Sequence, residues 1–291
     1  MYYYGSWNYY EPKKKMQLIA PRIKATSDVS VVMPVRNNQA GVNNFFKDFF
    51  ETQSPHSWPL EIIVVNDGES TINLPEICSR YPIEIRCFSS NRKGPSYARN
   101  IGWRHARGEW ILFTNSDCRP APGWLEGYIQ TRNGSVGYAG KVLSYGRDRI
   151  SKYYESQNIL MPSMNSQESV ICPDYLVTAN ALVWKKALEK ICGFNESLRI
   201  AAGEDIDLGI RLREIGSLSF AFDSIVYHDF DDGLKGFVRR FRRYGKGNHL
   251  LAQMYGLNIK PSRFKPQKRS VVNSILAYLQ YASMLFGWYV D

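Results

Sequence analysis

The chain has 291 residues, 44% of them hydrophobic, which is enough for one sizeable domain with an appendage and excludes a disordered protein. Five widely spaced cysteines without a C-x-x-C pair favour free thiols over a zinc site, and the first residues lack a secretory signal, so we expect a cytoplasmic protein. The net charge of +10 is uneven: residues 234–291 hold eleven Lys and Arg against one acid, a pattern typical of proteins that bind nucleic acid or an anionic membrane.

An aromatic and basic arm at residues 1–27 precedes a region of alternating strands and helices. Four apolar runs predict buried strands, at residues 29–33, 60–65, 83–88 and 110–113. The first strand is expected to stop at Pro34, and helices are predicted at 43–50 and 97–106. Strands that alternate with helices in units of about 30 residues predict an α/β fold with a mostly parallel central sheet.

The fourth predicted strand ends in a polar segment that carries Asp117. A carboxylate there lies at the carboxyl edge of the sheet, where open α/β folds bind their ligands. Asn115 precedes it by two residues, so in extended chain both side chains point the same way and could share one divalent cation. Such an ion could bridge the phosphates of a nucleotide. The alternative is an aspartate that only caps the next helix.

Five short segments occur in a fixed order along the chain: VVMPVRN at 31–37, VVNDG at 64–68, GPSYARNIG at 94–102, FTNSD at 113–117 and GEDIDL at 203–208. This series resembles family 2 of the glycosyltransferases, inverting enzymes with the GT-A fold, over about residues 28–230. The resemblance implies transfer of a sugar from a nucleotide-diphosphate-sugar donor to an acceptor nucleophile. We divide the chain into the arm at 1–27, a GT-A catalytic domain at 28–233 and a helical extension at 234–291.

The resemblance assigns a donor site to residues near the ends of the predicted strands. They are Pro34, Val35, Arg36, Asp67, Lys93, Arg99, Asn115 and Ser116. Asp67 is expected to accept a hydrogen bond from a base N–H, although an Asp-Gly turn residue is the alternative. Lys93 and Arg99 flank the start of a helix, whose amides favour anions, and the matching family arginine lies near the diphosphate. A solvated helix charge is the alternative for Arg99.

Asn115-Ser116-Asp117 stands where the family has an Asp-x-Asp motif, and the first acid is replaced by an amide. The amide keeps an oxygen but removes a negative charge, so affinity for Mn²⁺ or Mg²⁺ should fall. Asp117 is then the direct ligand. His228 stands where family members often supply another ligand, with a structural histidine as the alternative.

Three acids open a predicted helix at residues 204–207. The crowding of Glu204, Asp205 and Asp207 suits a general base, because neighbouring negative charges raise carboxylate pKa values. The resemblance assigns the base to Asp205 in the Glu-Asp pair. The alternative is three acids that only stabilise a helix N-terminus.

The last fifth of the chain predicts two helical segments. One is a basic amphipathic helix from Leu234 to Lys246, suited to an anionic surface or to a diphosphate from the active site. The other, at residues 271–290, is uncharged but contains four polar residues, so an interfacial or protein-packed helix is favoured over a membrane span.

Three functions compete at this point. The first is an inverting transferase at the cytoplasmic face of a membrane, in glycan, polysaccharide or glycolipid biosynthesis. Its acceptor is unknown, and a lipid-linked acceptor is one alternative. The second is a catalytically impaired nucleotide-binding protein of the same fold, favoured by Asn115. The third is a nucleic-acid-binding protein, which is disfavoured because the basic tail lacks a recognised nucleic-acid motif.

Overall fold

The computed structural model describes residues 17–131, 134–167, 170–230 and 233–290. Most of the predicted N-terminal arm, residues 1–16, lies outside these ranges. The described part of the arm is held on the body by backbone contacts: the Leu18 amide donates to the Ile215 carbonyl, and the Ala20 amide donates to the Gly134 carbonyl.

Within the described ranges, eight strands form one sheet in the order β3-β2-β1-β4-β9-β6-β10-β5, and two form a separate hairpin, β7-β8. The strands are β1 Val29–Val35, β2 Glu61–Asn66, β3 Glu84–Ser89, β4 Trp110–Thr114, β5 Cys118–Pro120, β6 Gly137–Ser144, β7 Met164–Gln167, β8 Val170–Pro173, β9 Asn180–Trp184 and β10 Leu218–His228.

The helices that join or cover these strands vary from one turn to six turns. They are α1 Gln39–Thr52, α2 Pro95–His105, α3 Glu126–Ile129, α4 Arg149–Ser156, α5 Lys185–Lys190, α6 Glu204–Arg213, α7 Gly233–Tyr255 and α8 Val271–Val290. Short 3-10 turns lie at Thr26–Asp28, Pro55–Ser57 and Glu76–Arg80.

The sheet is mostly parallel, as the sequence predicts. β3, β2, β1 and β4 run parallel to one another, and β6 runs parallel to β10, while β9 and β5 are antiparallel to their neighbours. All of β1 except Pro34 is buried, which explains why its sequence is apolar on both faces. The predicted α/β fold with a helical C-terminal extension is confirmed.

The predicted end of β1 at Pro34 is wrong, because the strand continues to Val35 and Pro34 pairs with Val65. The carbonyls of Val29 and Val35 accept hydrogen bonds from the amides of Leu60 and Asp67, on the β2 side. The backbone amides and carbonyls of the even-numbered residues between them therefore point towards β4. β4 pairs with β1 only as far as Val32. The missing amide hydrogen of Pro34 therefore costs the sheet no hydrogen bond.

The two C-terminal helices cross with their backbones in contact. A Cβ atom on Gly245 of α7 would lie 1.9 Å from the Met284 carbonyl oxygen, and one on Gly287 of α8 would lie 1.9 Å from the Arg242 carbonyl oxygen. Phe237 and Phe241 of α7 continue this contact into a cluster with α4. None of the helices in the described ranges is both long enough and apolar enough to cross a membrane.

Candidate active site

A cavity of about 620 Å³ opens at the carboxyl edge of β1, β2 and β4, where the sequence predicts a ligand site. It is lined by eleven of the predicted site residues: Pro34, Val35, Arg36, Asp67, Arg99, Asn115, Ser116, Asp117, Glu204, Asp205 and His228. Lys93 is placed apart from them. It is exposed, and its Nζ lies 4.4 Å from the centre of the Tyr97 ring.

Asp67 is fixed directly after β2 by the chain that leads into α2. Its Oδ1 accepts hydrogen bonds from the Ser90 hydroxyl and, at 3.0 Å, from the Gly94 amide. Among the described residues, Oδ2 has no hydrogen-bond partner. The buried carboxylate is therefore held rigidly with one oxygen left to accept a hydrogen bond from a ligand N–H.

Asp117 and His228 meet because β5 pairs with the end of β10. Cys118 is the register partner of His228, and the Asp229 amide donates to the Asp117 carbonyl at 2.8 Å. The result is a separation of 3.3 Å between His228 Nε2 and Asp117 Oδ1. His228 is buried and stacked on Phe230 with ring centres 4.4 Å apart, so its orientation is fixed.

This pair fits a divalent cation. Burial lowers the pKa of His228, an effect that Asp117 only partly offsets, so the imidazole is neutral at neutral pH. Its Nδ1 lies 2.9 Å from the Asp229 carbonyl oxygen, which can only accept a hydrogen bond, and the Nε2 lone pair therefore faces Asp117. Asp117 Oδ1 is buried without a hydrogen-bond partner among the described residues. Two lone pairs that face each other call for a cation between them.

Cys118 also lies near this pair but is a poor ligand. The nearest ligand atoms of Asp117, Cys118 and His228 all lie within 4.8 Å of one another. Burial raises the pKa of the Cys118 thiol far above its ordinary value, and its Sγ lies 3.7 Å from the Ala179 carbonyl oxygen. The thiol is thus engaged with that carbonyl, and the site would draw on Asp117 and His228, whose ligand atoms already face each other at 3.3 Å.

Arg99 joins two predicted site residues from its position on α2. Its guanidinium donates hydrogen bonds to Glu204 Oε1 at 3.0 Å and to Asn115 Oδ1 at 3.1 Å. The Arg99 side chain is buried. The oxygen of Asn115 that the sequence offered to a cation is thus engaged by Arg99. The described contacts pair Asp117 with His228 and not with Asn115.

Asp205 stands in the first turn of α6, beside Glu204. The turn is set by Gly203, whose φ of +89° is left-handed and whose missing side chain lets Leu251 of α7 approach. Burial raises the pKa of Asp205 to about 7, and the neighbouring Glu204 charge adds to this effect. Asp205 Oδ1 accepts from the Ile206 amide at 2.9 Å. A carboxylate with this pKa is suited to general base catalysis.

Asp207 does not line the cavity, and its carboxylate is bonded to two other side chains. Its Oδ2 accepts from Arg211 Nε at 3.0 Å, and its Oδ1 accepts from the Tyr255 hydroxyl at 2.6 Å. This fully buried carboxylate ties α6 to the end of α7.

Four further cationic side chains line the cavity, and the donor-site prediction did not include them. They are Arg199, Arg239, Arg240 and Arg243. The last three lie on α7, so the basic amphipathic pattern indicated an anion-binding helix but did not reveal which of its arginines face the site. Arg243 Nε is buried without a hydrogen-bond partner among the described residues, and Arg239 is exposed at the cavity. Arg199 is at an irregular position with no sequence signal.

The sequence model of a protein family described as Glycosyl transferase family 2 matches residues 30–192. The pre-mycofactocin glycosyltransferase of Mycobacterium tuberculosis is 28% identical over 229 residues, which cover 75% of this chain and 46% of that protein. Glycosyltransferase AglE of Haloferax volcanii is 28% identical over 233 residues, covering 75% and 72%. The chain thus spans about half the length of the mycobacterial relative.

Solved structures share the fold. A mannosyltransferase from Pyrobaculum calidifontis, in complex with GDP-Man and Mn²⁺, superposes with a TM-score of 0.56 at 16% identity, covering 94% of this chain and 76% of that one. S. aureus TarS 1-349 in complex with UDP-GlcNAc gives a TM-score of 0.54 at 18% identity, covering 76% and 65%. These superpositions confirm the predicted GT-A fold.

Proposed function

The chain belongs to glycosyltransferase family 2, and we propose that it transfers a sugar from a nucleotide-diphosphate-sugar donor to an acceptor with inversion at the anomeric carbon. One observation carries the proposal. A single cavity holds three groups. Asp67 is a rigid carboxylate that can bind a nucleobase, and the carboxylate of Asp117 faces the imidazole of His228 in a pair that fits a cation. The third group is Asp205, a carboxyl group with a raised pKa.

The donor occupies the side of the cavity formed by the strand ends. Asp67 accepts a hydrogen bond from the nucleobase, and residues 34–36 line the wall beside it. Asp117 and His228 would hold Mn²⁺ or Mg²⁺, whose positive charge, when bound, stabilises the leaving diphosphate. Two protein ligands would suit such an ion, since Mg²⁺ is commonly bound through one or two carboxylates together with substrate phosphates.

Asp205 supplies the general base. The acceptor hydroxyl oxygen attacks the anomeric carbon, its proton passes to the Asp205 carboxylate, and the bond from that carbon to the diphosphate oxygen breaks. The electron pair leaves with the nucleoside diphosphate. Attack from the face opposite the leaving group inverts the configuration. Arg99 pairs with Glu204 and so holds that side chain beside the base, which makes Arg99 a positioning residue.

The acceptor is proposed to be lipid-linked, in the biosynthesis of a glycan, polysaccharide or glycolipid at the cytoplasmic face of a membrane. The cavity-facing arginines of α7 support an anionic group at this end of the site, since Arg239 and Arg243 have no carboxylate partner among the described residues. An acceptor phosphate or the donor diphosphate satisfies this charge.

A donor screen tests the proposal. Thermal melting should be measured with UDP-, GDP- and dTDP-sugars, with and without Mn²⁺ or Mg²⁺. We expect one nucleotide class to raise the melting temperature in the presence of metal. That donor should be hydrolysed slowly in a metal-dependent reaction, which Asp205→Asn should slow by about 10²–10⁴-fold.

Two results would contradict the proposal in different ways. If no nucleotide sugar raises the melting temperature, the donor site is wrong. If a donor binds but is neither hydrolysed nor transferred with Mn²⁺ present, the chain is the impaired nucleotide-binding protein that Asn115 had left open.

A further inference from the structure

One side of α8 exposes an apolar stripe to solvent. Ile275, Tyr278, Phe286 and Tyr289 fall at helical spacing, and their exposed fractions are 61%, 61%, 46% and 63%. Val271 and Val290 extend the stripe to both ends of the helix. The stripe therefore runs the length of α8, about 30 Å for a helix of this size.

Cationic side chains lie against the aromatic members of the stripe. Lys260 Nζ is 5.0 Å from the centre of the Tyr289 ring, Arg263 is 6.0 Å from that of Tyr278, and Arg242 is 4.4 Å from that of Phe286. The sequence from 233 to 290 contains no Asp or Glu. The apolar surface is thus bordered by positive charge that no acid in the same segment neutralises.

We propose that this α8 stripe docks the protein on an anionic lipid bilayer, with α8 lying in the plane of the interface. The inference goes beyond sugar transfer and does not depend on it. Aromatic side chains with a polar tip favour the boundary between headgroups and acyl chains, and lysine and arginine beside them bind anionic headgroups.

The docked orientation brings the bilayer close to the active site. By the 3.6-residue period, Arg239 and Arg243 lie on one face of α7, while Gly245, which contacts α8, is turned to a different face. α7 is therefore a single wall between the cavity and α8. With neighbouring helix axes about 10 Å apart, the membrane surface lies about 20 Å from the cavity.

Vesicle flotation of the full chain tests this. The probes are phosphatidylcholine vesicles with and without phosphatidylglycerol, at low and high salt. We expect wild-type protein to float only with the anionic vesicles and more weakly at high salt. Tyr278→Ser combined with Phe286→Ser should lose flotation, and Lys260→Ala combined with Arg263→Ala should weaken binding about 30-fold, since each basic residue contributes about fivefold.

The control is Phe222→Ser combined with Lys47→Ala, which removes one exposed aromatic residue and one exposed cation elsewhere. It should float like wild type. All variants should keep wild-type donor-induced melting shifts, which separates failure at the membrane from failure at the donor site. Absence of wild-type flotation at low salt, or unchanged flotation of the Tyr278/Phe286 variant, would overturn the proposal. A dimer or a nucleic-acid complex that this variant disrupts, without flotation, would assign the stripe to that partner.

Discussion

Two adjacent acids at the start of α6 have different neighbours, and this difference selects the base. Glu204 is paired with Arg99 at 3.0 Å, so its charge is compensated. Asp205 has only the Ile206 amide among the described contacts and lies close to the Glu204 charge. Burial, with the Glu204 charge beside it, raises the pKa of Asp205 to about 7, which suits proton exchange with a hydroxyl.

Replacing the general base, Asp205, should slow sugar transfer and leave donor binding unchanged. We expect Asp205→Asn to lower turnover by about 10²–10⁴-fold, because the amide keeps the shape of the side chain but cannot accept the proton. Donor affinity, measured by titration, should change little. The matched control is Asp207→Asn, which should lower the melting temperature and retain turnover, since that carboxylate bonds to Arg211 and Tyr255. The reverse pattern would show that the wrong acid is assigned.

The raised pKa of Asp205 predicts a pH dependence of both rate and stability. The folded protein binds this proton more tightly than the unfolded chain, so the stability contributed is fully present below the ordinary pKa of 3.8 and is lost as the pH rises through about 7. We expect turnover to rise with pH through about 7, as the base ionises. Asp205→Asn should lack this rise and should melt at a higher temperature than wild type at about pH 8, with a smaller difference at about pH 5. Equal differences at both pH values would contradict the raised pKa of Asp205.

The cation site can be tested with its own neighbour as control. Asp117→Ala and His228→Ala should each abolish the Mn²⁺-dependent rise in melting temperature with donor present, because each removes one of two facing ligands. Cys118→Ala should retain that rise, since its thiol is engaged with the Ala179 carbonyl oxygen. Loss of the metal effect in Cys118→Ala alone would make the cysteine a ligand.

For strands and helices, the sequence predicts where a strand ends better than it predicts which strands lie beside one another in the sheet. The central residues of β1, β2 and β4 are mostly apolar, and polar residues follow within a few positions of each strand, so both the burial of these strands and the position of Asp67 and Asp117 follow from the sequence pattern. β9 is also fully buried, but nothing in its sequence shows that it inserts antiparallel between β4 and β6. Its place depends on long-range pairing that short-range periodicity does not encode.

Side-chain partners were predictable only in part for the same reason. Arg99 and Lys93 flank the same turn, yet Arg99 points inward to Glu204, 105 positions away, while Lys93 lies on Tyr97 at the surface. The family motif places Arg99 at the site, but its contact with Asn115 and Glu204 requires α2, β4 and α6 to be assembled. The amide at Asn115 is accordingly a partner of Arg99 as well as a changed metal-motif residue.

The arginine face of α7 predicts anion binding that variants on the same helix can isolate. Arg239→Gln with Arg243→Gln should weaken binding of the donor diphosphate or raise the KM for an anionic acceptor, and should reduce the salt dependence of that binding. Lys235→Gln, on the same helix and outside the cavity lining, should have neither effect. Equal losses in both variants would indicate a general charge effect in place of a site.

Both C-terminal helices pack on the body of the protein, and α7 also lines the site. Leu251 and Ile259 belong to the main hydrophobic core, while Phe237 and Phe241 join α4 and α8 in a second cluster. α7 therefore connects both clusters and carries cavity-lining residues. A displacement of α7 should change stability and ligand binding together.

The contact between α7 and α8 gives a prediction whose sign is informative. Ala in place of Gly stabilises an exposed helix by about 1 kcal/mol, so Gly245→Ala should raise the melting temperature if the two helices were loosely packed. Here the added Cβ would lie 1.9 Å from the Met284 carbonyl oxygen, and the helices must separate. Overpacking of this kind typically costs about 1–3 kcal/mol, so we expect a lower melting temperature for Gly245→Ala and for Gly287→Ala. Because Arg243 and Tyr244 precede Gly245 and line the cavity, donor affinity should fall as well. A raised melting temperature with wild-type donor affinity would show that α7 and α8 are not in close backbone contact at Gly245 and Gly287.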